Sequence, residues 1–173
     1  LYVAQASVLK RDNGSYIMFY SYEGARKIGI ADSPDGVNWT AYAGNPVLEP
    51  SDYGENMNTG LPAVARLSDG RYFLVFEGTT SYFEIYGAFS NDLYTWTPAN
   101  GGEPIYSGTP GAWDADAVAN PKPYEIAPNQ YVIIYNGYNS ALSDYSSWQL
   151  GMLSSTDLQT WTPYASNPIL LRG

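Results

Sequence analysis

Neither cysteine nor histidine occurs anywhere in the chain. Without cysteine there is no disulfide, no thiol nucleophile and no thiolate metal site. Without histidine the commonest general base and the commonest metal ligand disappear together. No metal or cofactor is therefore expected, and any acid–base chemistry must rest on Asp, Glu, Tyr or Lys. Basic residues are scarce too: 8 Lys and Arg against 17 Asp and Glu leave a formal charge of −9. That field argues against a nucleic acid or an anionic membrane surface as partner. No apolar run approaches the ~18 residues of a membrane span. No basic stretch leads into an apolar one, so no signal peptide is read. Sustained 3.6-residue periodicity is missing as well, and helix content should be small.

What the chain has in abundance is aromatic surface: 17 Tyr, 5 Trp and 5 Phe among 173 residues. Tyr at this density suits strands, where the ring packs on a pleated surface and the hydroxyl stays wet. With 45% apolar and 14% charged residues the chain is globular, and its length supports one domain with a core. A neutral ligand such as a sugar is compatible with the acidic balance. Two Asn-x-Ser/Thr triplets, at Asn13 and Asn38, point the same way as that balance, toward an extracellular, secreted protein.

The strongest signal is internal repetition. Tyr16–Tyr20, Tyr72–Phe76 and Tyr131–Tyr135 are three equivalent apolar runs, each preceded by a turn (Asp12-Asn13-Gly14, Ser68-Asp69-Gly70, Ala127-Pro128-Asn129). Each is followed by a strand opening on Gly29, Gly87 or Gly151, then by a Ser/Asp turn into Trp39-Thr40, Trp96-Thr97 or Trp161-Thr162. The units close on Asn45-Pro46, Glu103-Pro104 and Asn167-Pro168. From Trp39 to Trp96 the period is 57 residues, and from Trp96 to Trp161 it is 65.

Such units read as four-stranded antiparallel repeats with generous loops, so the expected fold is all-β, built of β-propeller blades. The expected blades are residues 1–48, 49–106 and 107–173 of a single propeller-type domain, with inner strands near Val3–Leu9, Leu61–Leu67 and Ala119–Tyr124. The middle strands are apolar at nearly every position, the pattern of a sheet covered on both faces. With three blades only, the first and last each have one uncovered face, near Ile17, Phe19, Val132 and Ile134. Because so large an apolar patch is rarely left bare, further blades are expected, in cis or from another subunit. The chain also starts at an inner strand and stops after an outer one, as if cut between blades.

The Tyr-rich strand, the glycine strand, Ser-x-Asp-Gly/Leu with its Trp, and Asn-Pro-Val/Ile-Leu together resemble the five-bladed propellers of glycoside hydrolase families 43 and 32 (the arabinanase, levansucrase and invertase superfamily). The sialidase Asp box is similar but places its aromatic five residues after Asp. Here the offset is four, from Asp35 to Trp39, Asp92 to Trp96 and Asp157 to Trp161. The resemblance implies activity on, or binding of, an oligo- or polysaccharide, with carboxylates at the axial ends of inner strands doing the chemistry. In the resembled group an acid opens the inner strand, eleven residues before the first Tyr of the next. In this chain those positions are Gln5, Leu61 and Asn120, none of them a carboxylate.

Other axial carboxylates are then the catalytic candidates: Asp114 and Asp116 of Trp113-Asp114-Ala115-Asp116, and Glu77 at the end of a middle strand. Trp113, Asn120, Asn58 and Gln5 are the candidate substrate-binding residues, with Glu55 and Glu84 nearby. Each has a plainer reading. Asp114 and Asp116 suit loop capping, Glu77 has the uncharged counterparts Ser21 and Asn136, and Gln5 and Asn120 are ordinary strand openers. Trp39, Trp96 and Trp161 recur in register and read as repeat core, and Asp35, Asp92 and Asp157 as turn caps. Two classes stay open: a glycosidase-like enzyme, and a non-catalytic carbohydrate-binding or assembly propeller that lacks the usual acids.

Overall fold

A computed structural model describes residues 3–22, 27–53, 57–79, 82–141 and 148–170. Among these described residues there are twelve strands, two short 3-10 turns and no α-helix. Each repeat is a four-stranded antiparallel blade. The first comprises β1 (Val3–Lys10), β2 (Tyr16–Tyr22), β3 (Lys27–Ser33) and β4 (Thr40–Ala41). The second comprises β5 (Asn58–Arg66), β6 (Tyr72–Thr79), β7 (Phe83–Ser90) and β8 (Thr97–Pro98). The third comprises β9 (Ala117–Ala127), β10 (Gln130–Tyr138), β11 (Gln149–Ser155) and β12 (Thr162–Pro163). One parallel pair, Phe83 with Ala117, joins the second blade to the third.

The inner strands run longer than the sequence pattern predicts. β5 begins at Asn58 and ends at Arg66, leaving Leu67 in the turn, where its N–H donates to Arg71 O at 2.8 Å. β9 reaches from Ala117 to Ala127 despite Pro121 and Pro123. Proline cannot donate to a ladder, so periodicity undercounts a strand that contains it.

Apolar cores lie between blades. One joins blades 1 and 2 through Ile17, Phe19, Leu74 and Phe76, and the other joins blades 2 and 3 through Phe73, Val75, Ile133 and Tyr135. The turn tryptophans are the wedges. Trp96 meets Phe19 edge-on at 5.6 Å, and Trp161 lies flat on Phe73 at 5.9 Å. Each therefore packs on the blade before its own. Trp39 has no earlier blade beneath it and is half-buried.

The same geometry corrects the expected open flank of blade 1. Ile17 and Phe19 are fully buried, because they face blade 2. The half-exposed face instead carries Tyr16, Met18, Tyr20 and Tyr22, the alternate set on the pleat. On blade 3, Val132 is buried and Ile134 half-buried.

Candidate functional site

Three inner-strand residues share an unusual backbone. Gln5, Leu61 and Asn120 have φ of 60°, 50° and 51°. Each sits in a register shift: Ala4 to Ser7 in β1, Gly60 to Ala63 in β5, and opposite Ile134 to Asn136 in β9. A bulge re-aims one side chain out of the pleat. The left-handed conformation costs an L-residue about 1–2 kcal/mol, and here each of the three blades pays it at the same place.

The bulges bring several groups together. Gln5 Oε1 accepts from the Leu61 N–H at 3.2 Å, tying blade 1 to blade 2. Glu77 Oε2 accepts from the Asn120 N–H at 3.3 Å, tying blade 2 to blade 3. The Asn120 carboxamide donates to Asn136 Oδ1 at 3.2 Å. Gly60 lies where a Cβ would be 3.1 Å from Gln5 Oε1 and 3.2 Å from Glu77 Oε1, so its lack of a side chain keeps the amide and the acid within reach of one another. Nearby, on β2 opposite Ala4 and on β5 beside Gly60, the hydroxyls of Ser21 and Thr59 are buried and without a hydrogen-bond partner.

Beside this cluster opens a cleft of about 280 Å³ between blades 2 and 3, lined by Leu61, Glu77, Phe83, Asn120, Asn136 and Trp148. Burial pushes the Glu77 carboxyl above its ordinary range, against the opposing pull of the Asn120 N–H and the Lys122 charge. Burial likewise depresses the Lys122 ammonium, partly offset by Glu77. A carboxylic acid raised by desolvation is a proton donor in the making.

Of the residues expected at the site, the structure gathers Glu77, Asn120 and Gln5. The others lie elsewhere. Asp114 is 1% exposed and accepts from the Tyr106 and Tyr135 hydroxyls, each at 2.7 Å, and from the Thr109 N–H at 3.2 Å. Burial drives both phenols up, that of Tyr106 to about 12. Trp113 lies across Gly137 and Gly151; a Cβ on Gly151 would stand 2.7 Å from its indole. Together Trp113 and Asp114 anchor the 107–116 loop to blade 3. Asp116 accepts from the Ser140 N–H at 2.7 Å and from the Ser140 hydroxyl, which holds its carboxyl below the usual range. Asn58 is exposed opposite Thr79 at the strand edge. Glu84 accepts from the Tyr86 hydroxyl at 3.2 Å, and Glu55 lies outside the described residues. Among the described residues no group of three Asp or Glu is placed to hold a metal ion.

Sequence reading missed Phe83, Asn136 and Trp148. Asn136 carries a signal that was available, since it occupies the same repeat position as Glu77. Trp148 breaks the repeat, so register gives no pointer to it.

No family model matches the sequence, and no curated protein matches it. Solved structures do match in shape. A protein described as a glycoside hydrolase superposes with a TM-score of 0.76 at 19% identity, covering 99% of this chain and 58% of its own. A family 117 glycoside hydrolase of Zobellia galactanivorans gives 0.75 at 15% identity, covering 99% and 57%. The chain has the propeller fold of glycoside hydrolases. A family 32 β-fructofuranosidase of Bombyx mori shares that propeller fold with a TM-score of 0.70 at 19% identity, over 93% of this chain and 34% of its own. The chain thus spans a little over half the length of the first two propellers and a third of the last.

Proposed function

We propose that this chain belongs to a secreted propeller acting on oligo- or polysaccharides through the axial cleft, with Glu77 as its proton donor. The observation that carries the reading is a desolvated carboxylic acid with a raised pKa, bridging two blades at the bulges where inner strands converge. Asn120, Asn136 and Gln5 are the neutral groups that hold sugar hydroxyls. Asp116, Asp114, Trp113 and Asn58 lie outside the cleft and shape the surrounding loops.

Paired-carboxylate hydrolysis requires a second acid across the glycosidic bond. In this reading it arrives from further blades, in cis or from another subunit. The open flank of blade 3 supports that part. Its cleft, lined by Gln130, Ser155, Asp157, Thr160 and Thr162, repeats position for position a cleft on blade 2 lined by Arg71, Ser90, Asp92, Thr95 and Thr97. On blade 2, Gln159 of the next blade closes that seat.

A second reading is favoured by the bulges themselves. Amide, leucine and amide occupy the three places where the resembled enzymes carry acids, which suits a propeller that binds sugar without cutting it. Glu77→Gln in the assembled propeller separates the two. On a panel of neutral oligosaccharides, whose alkoxide leaving groups need a proton, loss of proton donation lowers hydrolysis by about 10²–10⁴-fold while binding persists. Hydrolysis unchanged by the substitution refutes Glu77 as the donor, and binding without hydrolysis in the parent selects the second reading.

A further inference from the structure

The axial cleft is lined by residues of two kinds. Glu77, Asn120 and Asn136 bring polar atoms to it, and Leu61, Phe83 and Trp148 bring apolar surface. A ligand that fits must have a hydroxylated edge and an apolar face, which is the anatomy of a sugar ring. Aromatic rings take such a C–H face while leaving its hydroxyls to polar neighbours. At about 280 Å³ the cleft lies just below the usual size of ligand pockets, which suits a ligand as small as a single ring.

The two aromatic side chains are held in place. The Trp148 indole stacks on Tyr138 with centroids 5.4 Å apart and planes 27° from parallel, and Tyr138 itself is 7% exposed. Phe83 pairs with Ala117 in the one parallel bridge between the two blades. Two and three residues further along the same strand come Ala119 and Asn120, both of which line the cleft. The bridge therefore fixes the span from the Phe83 wall to the Asn120 carboxamide. Fixed walls spare a ligand the cost of ordering them.

We infer that Trp148, seated on Tyr138, is the stacking platform for one saccharide ring, in a subsite built wholly from blades 2 and 3. The inference rests on the proposed reading of the cleft as a saccharide site, and it adds that the subsite needs no further blade to bind.

The test is titration of the 173-residue chain with xylotriose, arabinotriose and 1-kestose, followed by calorimetry and tryptophan fluorescence. At least one sugar binds and quenches emission. Trp148→Ala weakens that sugar by about fivefold or more, and Trp148→Phe, which keeps an aromatic body, weakens it less. The quench disappears in Trp148→Phe and survives in Trp39→Phe, whose ring lies on the flank of blade 1. Three results would overturn the platform: none of the sugars binds, Trp148→Ala binds as the parent does, or the quench survives in Trp148→Phe. If the platform fails while Glu77→Gln still abolishes hydrolysis in the assembled propeller, the proposed function stands without it. Trp148-dependent binding in a propeller that hydrolyses nothing keeps the platform and removes the catalytic reading.

Discussion

At the scale of single residues, carboxylates of similar sequence context divide by environment. Glu77 has a folded pKa above its unfolded one, so its ionisation opposes folding. Where pH rises through the window above the ordinary 4.5, the native state holds a proton that the unfolded state has released, and stability falls. Glu77→Gln is therefore expected to raise the melting temperature at pH 7 and to change it little at pH 4. Equal shifts at both would contradict a desolvated acid. Asp92 and Asp157 go the other way, held low chiefly by the backbone N–H groups of Thr95 and Thr160. Their stabilisation is present above the ordinary 3.8 and is lost as pH falls through the folded values. Asp114 is a third kind, a buried acceptor for two phenols. Asp114→Ala strands both hydroxyls and should cost about 2–4 kcal/mol in urea denaturation, whereas Asp116→Ala, at an exposed loop, should cost less than about 1 kcal/mol. A larger loss from Asp116 would reverse that ranking. The Trp-Asp pair at Trp113 and Asp114 was conspicuous in the sequence because a buried anchor and an active-site acid use the same residue types. Only the two tyrosine hydroxyls that meet Asp114, from 8 residues upstream and 21 residues downstream, tell them apart.

At the scale of elements, the turns show how packing overrides local preference. The residue after each turn Asp has a positive φ: 79° at Gly36, 73° at Leu93 and 61° at Leu158. Blade 1 uses glycine there, but Leu93 and Leu158 are 3% and 2% exposed, so apolar burial outweighs backbone strain. Leu158→Gly would relieve about 1 kcal/mol of strain and forfeit about 3–5 kcal/mol of packing. A net loss of about 2 kcal/mol or more in chemical denaturation is expected, and a gain would refute the balance. The hairpin turns before the middle strands and the places of Gln5, Leu61 and Asn120 were legible because each recurs at a fixed offset from Tyr16, Tyr72 and Tyr131. The bulges at Gln5, Leu61 and Asn120 were legible in position and not in shape, since of the three only Asn120 is of a type that favours a positive φ. Trp148 was invisible because it follows a segment that has no counterpart of equal length in the other two units.

At the scale of the molecule, the two inter-blade cores make a direction. Each tryptophan wedges onto the blade before it, so the chain has a covered sense and leaves Trp39 half-buried at one end and the Val132 and Ile134 face at the other. Continuous apolar middle strands announced stacking, but which of two alternating faces meets a neighbour depends on the pleat, and Ile17 and Phe19 could be assigned only from the structure. The measurement that bears most directly on the whole account is a crystal structure of the chain soaked with whichever of the three trisaccharides binds. The account predicts a sugar ring against Trp148, hydroxyls on Asn120 and Asn136, and a glycosidic oxygen within hydrogen-bond reach of Glu77. Sugar bound only outside that cleft, at the 107–116 loop or on a blade flank, would contradict it.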